Sequence, residues 1–121
     1  MTSAGAVDRS DWVGFFDLLT KDQEGRLLVI EVLDPDVGDQ HEAERLPFSY
    51  ASYDPRDDVV VVGVGGSTAR FPVVLRHMIQ HPTVVDVAVP TPTQTTVRVV
   101  DADGTTNLLH FYPKPALPQS A

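Results

Sequence analysis

Four consecutive valines, Val59 to Val62, run into Gly63 and Val64, and this run constrains the fold more than any other stretch. β-Branched side chains lose rotamer freedom in a helix and pack well on a pleated surface. The run is therefore a strand. Successive side chains of a strand point to opposite faces, so this one is buried on both. Just ahead of it, Asp54-Pro55-Arg56-Asp57-Asp58 reads as a turn. Pro55 presets φ for the second position, and the flanking aspartates accept backbone N–H bonds.

One segment has the other periodicity. Trp12, Phe15, Phe16 and Leu19 recur at i, i+3, i+4 and i+7, which places four large groups on one helical stripe. Asp8 or Ser10 can cap the start and Gly25 can stop the chain, so a helix is expected over residues 9–22. Beyond it, strands are expected at 26–33, 46–53, 59–64, 83–89, 95–100 and 105–112, with the last two joined across Asp101-Ala102-Asp103-Gly104, a hairpin turn. Residues 34–45 read as a polar loop. Pro72 to His81 reads as a short helix, with Pro72 in its first turn and Pro82 ending it. Residues 1–7 and the Pro-rich 113–121 read as disordered ends around a single domain, 8–112. The class is α+β: an N-terminal helix packed on a mainly antiparallel sheet of five to six strands. A small closed barrel with an added helix is the alternative.

Composition narrows the functions. At 121 residues and 42% apolar the chain can build a core without disulfides or metals. There is no cysteine, which removes thiolate chemistry and fits a reducing compartment. Seventeen acidic residues against nine basic ones give a net charge of −8, and the basic residues are scattered. Nucleic acid and anionic membranes are poor partners for such a surface. With neither a membrane-spanning run nor a signal-peptide pattern, a soluble cytoplasmic protein is expected.

Two motifs suggest ligands. Gly63, Gly65, Gly66, Ser67 and Arg70 form a glycine-rich loop after a strand, in the manner of a dinucleotide fingerprint. The third glycine of G-x-G-x-x-G is Thr68 here, and the C-terminal part of the chain reads as a hairpin rather than a further βαβ unit. His77 and His81 are spaced i, i+4, and on a helix they would share one face as a metal pair does. No nucleophile–base arrangement is legible, and Asp57 and Asp58 would point to opposite faces of a strand. No catalytic residue is assigned and no cofactor is expected.

Three stretches taken in order carry a resemblance: DWVGFFDLLTKDQEGRLLVIEVLDPDVGDQHEAERLPF, SYDPRDDVVVV, and LRHMIQHP with DADGTTNLL. Together they resemble a bacterial domain-of-unknown-function family, number 5335, across residues 11–110. The resemblance implies no activity and supplies no catalytic residues.

The leading expectation is a small non-enzymatic binding or assembly module whose partner is another protein or a second copy of itself. Valine-rich strands with few charges to blunt an edge point to a homodimer. The alternative is a small-ligand enzyme or sensor built on the Gly63–Arg70 loop with His77 and His81. The glycine motif has a direct test. A ligand at about 100 times its dissociation constant adds ~2.7 kcal/mol of stability, several degrees in melting temperature at ~4–8 °C per kcal/mol. Millimolar NAD or ATP is expected to give no shift by differential scanning fluorimetry. A saturable shift abolished by Gly65→Val would establish a nucleotide loop.

Overall fold

The fold is seen in a computed structural model that describes residues 5–36, 38–65 and 73–113. The helical stripe is where its spacing puts it. A 3-10 turn, Arg9–Asp11, leads into helix α1, Trp12–Gln23. Its start is closed by the backbone bond Asp11 N–H to Asp8 O, 2.9 Å; neither Asp8 nor Asp11 caps with its side chain. Gly25 at φ 79° ends the helix, a conformation glycine adopts without strain. Trp12, Phe16 and Leu19 are fully buried, with Phe15 half-buried beside them.

Eight strands follow the order expected of antiparallel hairpins: β1 Gly5–Ala6, β2 Leu27–Asp34, β3 Gly38–Asp54, β4 Val59–Gly65, β5 Val73–Gln80, β6 Pro82–Thr91, β7 Gln94–Asp101 and β8 Thr106–Tyr112. They form one sheet in the order β1-β6-β7-β8-β2-β3-β4-β5, and every pairing is antiparallel. The α+β class holds, but among the described residues the sheet has eight strands rather than five or six. Two strands are added to the expected six, and one expected strand is longer than its pattern suggests. Residues 5–6 add β1 to the edge of β6 at Asp86 and Val87, where the sequence pattern predicts a disordered end. The polar stretch 38–45 is the first half of β3, held to β2 by the ladder.

The third difference matters most. The sequence pattern predicts a helix over residues 72–81, and Val73–Gln80 is instead strand β5, paired along its length with β4. Ile79 is buried while Arg76, Met78 and Gln80 are exposed, the two-residue alternation of a strand. The valines of β4 demand a hydrogen-bonded neighbour on each side. An extended β5 meets that demand and still turns the β-branched Ile79 to the core, which a helix there could not do.

Strands β2 to β5 and β6 to β8 are two meanders joined where β2 pairs with β8. The sheet curls so that β5 faces β8: His77 Nε2 lies 2.8 Å from Asn107 Oδ1. The core fills the space between, with Phe48 edge-on to Phe111 at 4.9 Å and Trp12 edge-on to Tyr53 at 5.1 Å. Helix α1 lies along β3 beyond the point where β2 begins. There Thr20 Oγ1 accepts the Ala51 N–H at 3.0 Å, and its own proton goes to Phe16 O or Ala51 O, each 2.9 Å away. A side chain thus satisfies a strand edge that would otherwise be buried with unmet backbone groups. Among the described residues β5 does not pair back onto β1 or β6, so the sheet is curled but not a closed barrel.

Removing a large aromatic from this core leaves a cavity that a curled sheet cannot fill. Phe16→Ala is expected to lower unfolding stability by ~3–5 kcal/mol, measured by urea denaturation. A loss under ~1 kcal/mol, the range of surface substitutions, would show that α1 does not contribute to the core.

Candidate functional site

The chain turns from one meander to the other at a single residue. β5 ends at Gln80 and β6 begins at Pro82, leaving His81 alone at the corner. His81 has φ 52° and the residue facing it, Asp58, has φ 51°. Left-handed backbone is uncommon outside glycine, though tolerated best by Asn, Asp and His. Each stabilises the other. His81 N–H donates to Asp58 O at 2.8 Å, and His81 Nδ1 lies 3.3 Å from Asp58 Oδ2. Ala102 N–H then donates to His81 O at 2.9 Å, tying the β7–β8 turn to the same corner.

Asp58 gathers further partners. Tyr53 Oη donates to its Oδ1 at 2.8 Å, and Arg9 Nη1 approaches the same oxygen at 3.4 Å. Arg9 also donates to Pro82 O at 2.9 Å and stacks over the Trp12 ring at 4.4 Å. The Tyr53 hydroxyl, with His81 and Arg9, holds the Asp58 carboxyl below its ordinary range, against a smaller opposing effect of desolvation. Burial, and then Asp58, push the Tyr53 phenol above its ordinary value. The carboxylate joins the N-terminal segment, the β3–β4 turn and the β5–β6 corner.

The two histidines of the sequence motif are therefore separated. Four residues along a strand span about 13 Å, against about 6 Å on a helix. His77 points inward to Asn107 and His81 outward to Asp58. Among the described residues no three His, Asp or Glu side chains gather as a metal site. The glycines also part company. Gly63 sits opposite Tyr50 on one side and Arg76 on the other. A methyl on Gly63 would overlap the Tyr50 ring, and Arg76 Nε donates to the Tyr50 hydroxyl at 3.2 Å. The ring crosses over glycine to reach arginine, which gives Gly63 a packing role. Gly65 has φ 115° where β4 ends. Gly66, Ser67 and Arg70 lie outside the described residues.

These contacts shape β5. Among the described residues it pairs with β4 alone, so the far side of an eight-residue strand is an open edge. Natural edges are blunted by charges, prolines or bulges. The lone charged side chain of β5 is Arg76, and it is folded back over its own sheet onto Tyr50. Met78, in the middle of the strand's outer face, is 54% exposed. At the opposite end of the sheet β6 is covered in part by β1, with Val7 N–H donating to Val85 O at 2.9 Å.

A second polar chain runs across the sheet from β7 through β8 to β2. Thr96 Oγ1 lies 3.0 Å from His110 Nδ1, and His110 Nε2 lies 3.1 Å from Glu31 Oε1. This hydroxyl–imidazole–carboxylate order has the connectivity of a nucleophile, base and orienting acid. Thr96 stands on a strand paired on both sides, however, with β6 and β8. The N–H groups around it serve the ladders and not a developing oxyanion. The chain reads as a cross-strand hydrogen-bond network. Thr96 and His110 face each other across the β7–β8 hairpin, and sequence reasoning passes over the network because Glu31 joins it only through the β2–β8 pairing.

Residues 3–120 match a family described as "Family of unknown function (DUF5335)". The chain belongs to the DUF5335 family. It is also 35% identical over 113 residues to a protein of Aquifex aeolicus (strain VF5) described as "Uncharacterized protein", a match covering 93% of this chain and 94% of the relative. No solved structure matches. The resemblance carried by the three sequence stretches is thus shown, and membership in DUF5335 brings no assigned activity to the site. Among the described residues of this DUF5335 chain, no helix is long and apolar enough to cross a membrane.

The depressed Asp58 pKa fixes the sign of a pH effect. A carboxyl whose folded pKa lies below its unfolded value of about 3.9 contributes stability that is fully present above that value. The contribution is lost as pH falls through the folded pKa. Asp58→Asn is therefore expected to melt below the parent near neutral pH, with the gap closing as both are taken below about pH 4. Calorimetry across that range checks it; a gap independent of pH would remove the carboxylate from the corner's stability.

Proposed function

We propose that this chain is a non-enzymatic assembly module that pairs with a second copy of itself along β5. The observation that carries the reading is an eight-residue edge whose single charge is turned away from it. An edge strand presents a row of backbone donors and acceptors, and pairing satisfies them. Antiparallel pairing of β5 with its own copy is self-complementary, as a two-fold interface requires. Met78 and Gln80 on one face and the half-buried Leu75 on the other would flank the joined strands.

The polar corner supports this reading. Its carboxylate is saturated by Tyr53, Arg9 and His81, which suits a clamp that fixes the end of β5 better than a group held ready for substrate. Sedimentation velocity at micromolar protein is expected to give a dimer. Replacing Met78 with proline removes a backbone donor, so the proposal is best tested with Met78→Lys. That variant keeps the ladder to β4 and adds a charge to the edge. It is expected to sediment as a monomer with an unchanged far-UV spectrum. A parent chain that is cleanly monomeric would overturn the proposal.

A further inference from the structure

Helix α1 is apolar on more sides than its core contacts require. Trp12, Phe16 and Leu19 are buried, yet from Trp12 to Leu19 the one charged residue is Asp17. On the sides turned away from the core, Val13 is 45% and Leu18 61% exposed, with Phe15 half-buried. A helix that is apolar all round is normally buried all round, so the outer side of α1 has the character of an interface.

Gly14 gives that side its shape. It sits inside the helical run from Arg9 to Gln23, where glycine is less stable than alanine. The fold supplies no reason for it: among the described residues, a methyl group on Gly14 would meet nothing within 4 Å outside its own helix. The missing side chain leaves a notch of ≈ 440 Å³, wide enough for an inserted side chain. Phe15 and Leu18 bound it on α1, Val7 bounds it on the preceding segment, and Asp11 lies at its rim. The walls are fixed. Val7 N–H donates to Val85 O at 2.9 Å, and Val7 O accepts the Trp12 indole N–H at 3.0 Å. Phe15 stands edge-on to Phe16 at 5.0 Å. A glycine flanked by large apolar groups is a hole for a partner's knob.

Charge selects the occupant. From Asp11 to Gln23 the acids are Asp11, Asp17 and Asp22, and the one base is Lys21. Two copies of this face would bring like charges together, which is costly at an interface. A basic partner is attracted instead, the more so by a chain of net charge −8. We propose that the outer side of α1 docks an amphipathic helix with a basic flank, carried by a different protein. One large apolar side chain of that helix enters the notch over Gly14, and its Lys or Arg residues lie beside the acids of α1. The inference stands apart from the edge pairing, since no residue of β5 takes part.

The test uses a fluorescein-labelled synthetic helix of leucine and lysine in heptad repeat, titrated with the full chain and followed by fluorescence anisotropy. A second peptide carries glutamate in place of every lysine. The basic peptide is expected to bind saturably and the acidic one not to bind. Gly14→Leu fills the notch without changing any charge. It is expected to melt no lower than the parent and to bind the basic peptide more weakly by on the order of tenfold. Met78→Lys, on β5, is expected to bind it as the parent does. Absence of saturable binding by the basic peptide would overturn the site. Equal binding by Gly14→Leu would leave only general attraction between opposite charges, and equal binding of the acidic peptide only apolar contact; either overturns the proposal. A marked fall in melting temperature for Gly14→Leu would give Gly14 a role within the fold and overturn it equally. A Gly14→Leu chain that sediments as a monomer where the parent is a dimer would assign the face to a second copy, against a basic partner.

Discussion

The reversal at His81 holds the architecture together. Two meanders can share a core only if the chain passes from the far edge of one to the start of the other, and here it does so in one residue between β5 and β6. That economy forces left-handed backbone at His81 and at Asp58, at a cost of ~1–2 kcal/mol for each residue. The reciprocal bonds between them offset the strain, and Arg9 and Tyr53 close around the same carboxylate. The corner in turn orients β5 so that Ile79 faces the core and His77 reaches Asn107 on β8. Loss of Asp58 would therefore act on three elements at once.

Much of this fold is legible in the residues. The stripe from Trp12 to Leu19 needs only the helical repeat, and the Asp101 turn announces itself. Asp101 Oδ1 accepts the N–H groups of Asp103 and Thr105 at 2.9 and 3.0 Å, and Gly104 takes φ 83°. The parts that are not legible depend on partners distant in sequence. Leu75 to Gln80, with His81 just beyond, contains both a two-residue alternation and two histidines at a helical interval. Pro72 is as much at home starting a strand as starting a helix. Only the demand of β4 for a second neighbour decides between them. The first half of β3 is polar and offers no apolar alternation, so its strand state comes from the ladder to β2.

Function is obscured in the same way. A glycine followed by valine and two more glycines looks like a phosphate loop, but Gly63 is small because Tyr50 lies across it on the way to Arg76. Nothing adjacent in sequence to Gly63 signals that ring, thirteen residues earlier and on another strand. Helical spacing gives His81 the wrong companion: its neighbour is Asp58, twenty-three positions away.

An open edge is a hazard unless its register is fixed, since a slip of one residue would exchange the faces of the whole strand. β5 is fixed at two places. Arg76 is tied to Tyr50 near its middle, and the Asp58–His81 pair pins its end. A slip would expose Ile79 and draw Arg76 toward the core, where the charge would be desolvated without compensation. The edge is thus offered in a single register, with its backbone groups at fixed positions and its side chains on fixed faces. Flat, weakly specified edges aggregate. An edge pinned in this way can pair in one arrangement and leave the others unfavourable, which is the physical condition for a closed two-fold assembly rather than a growing stack.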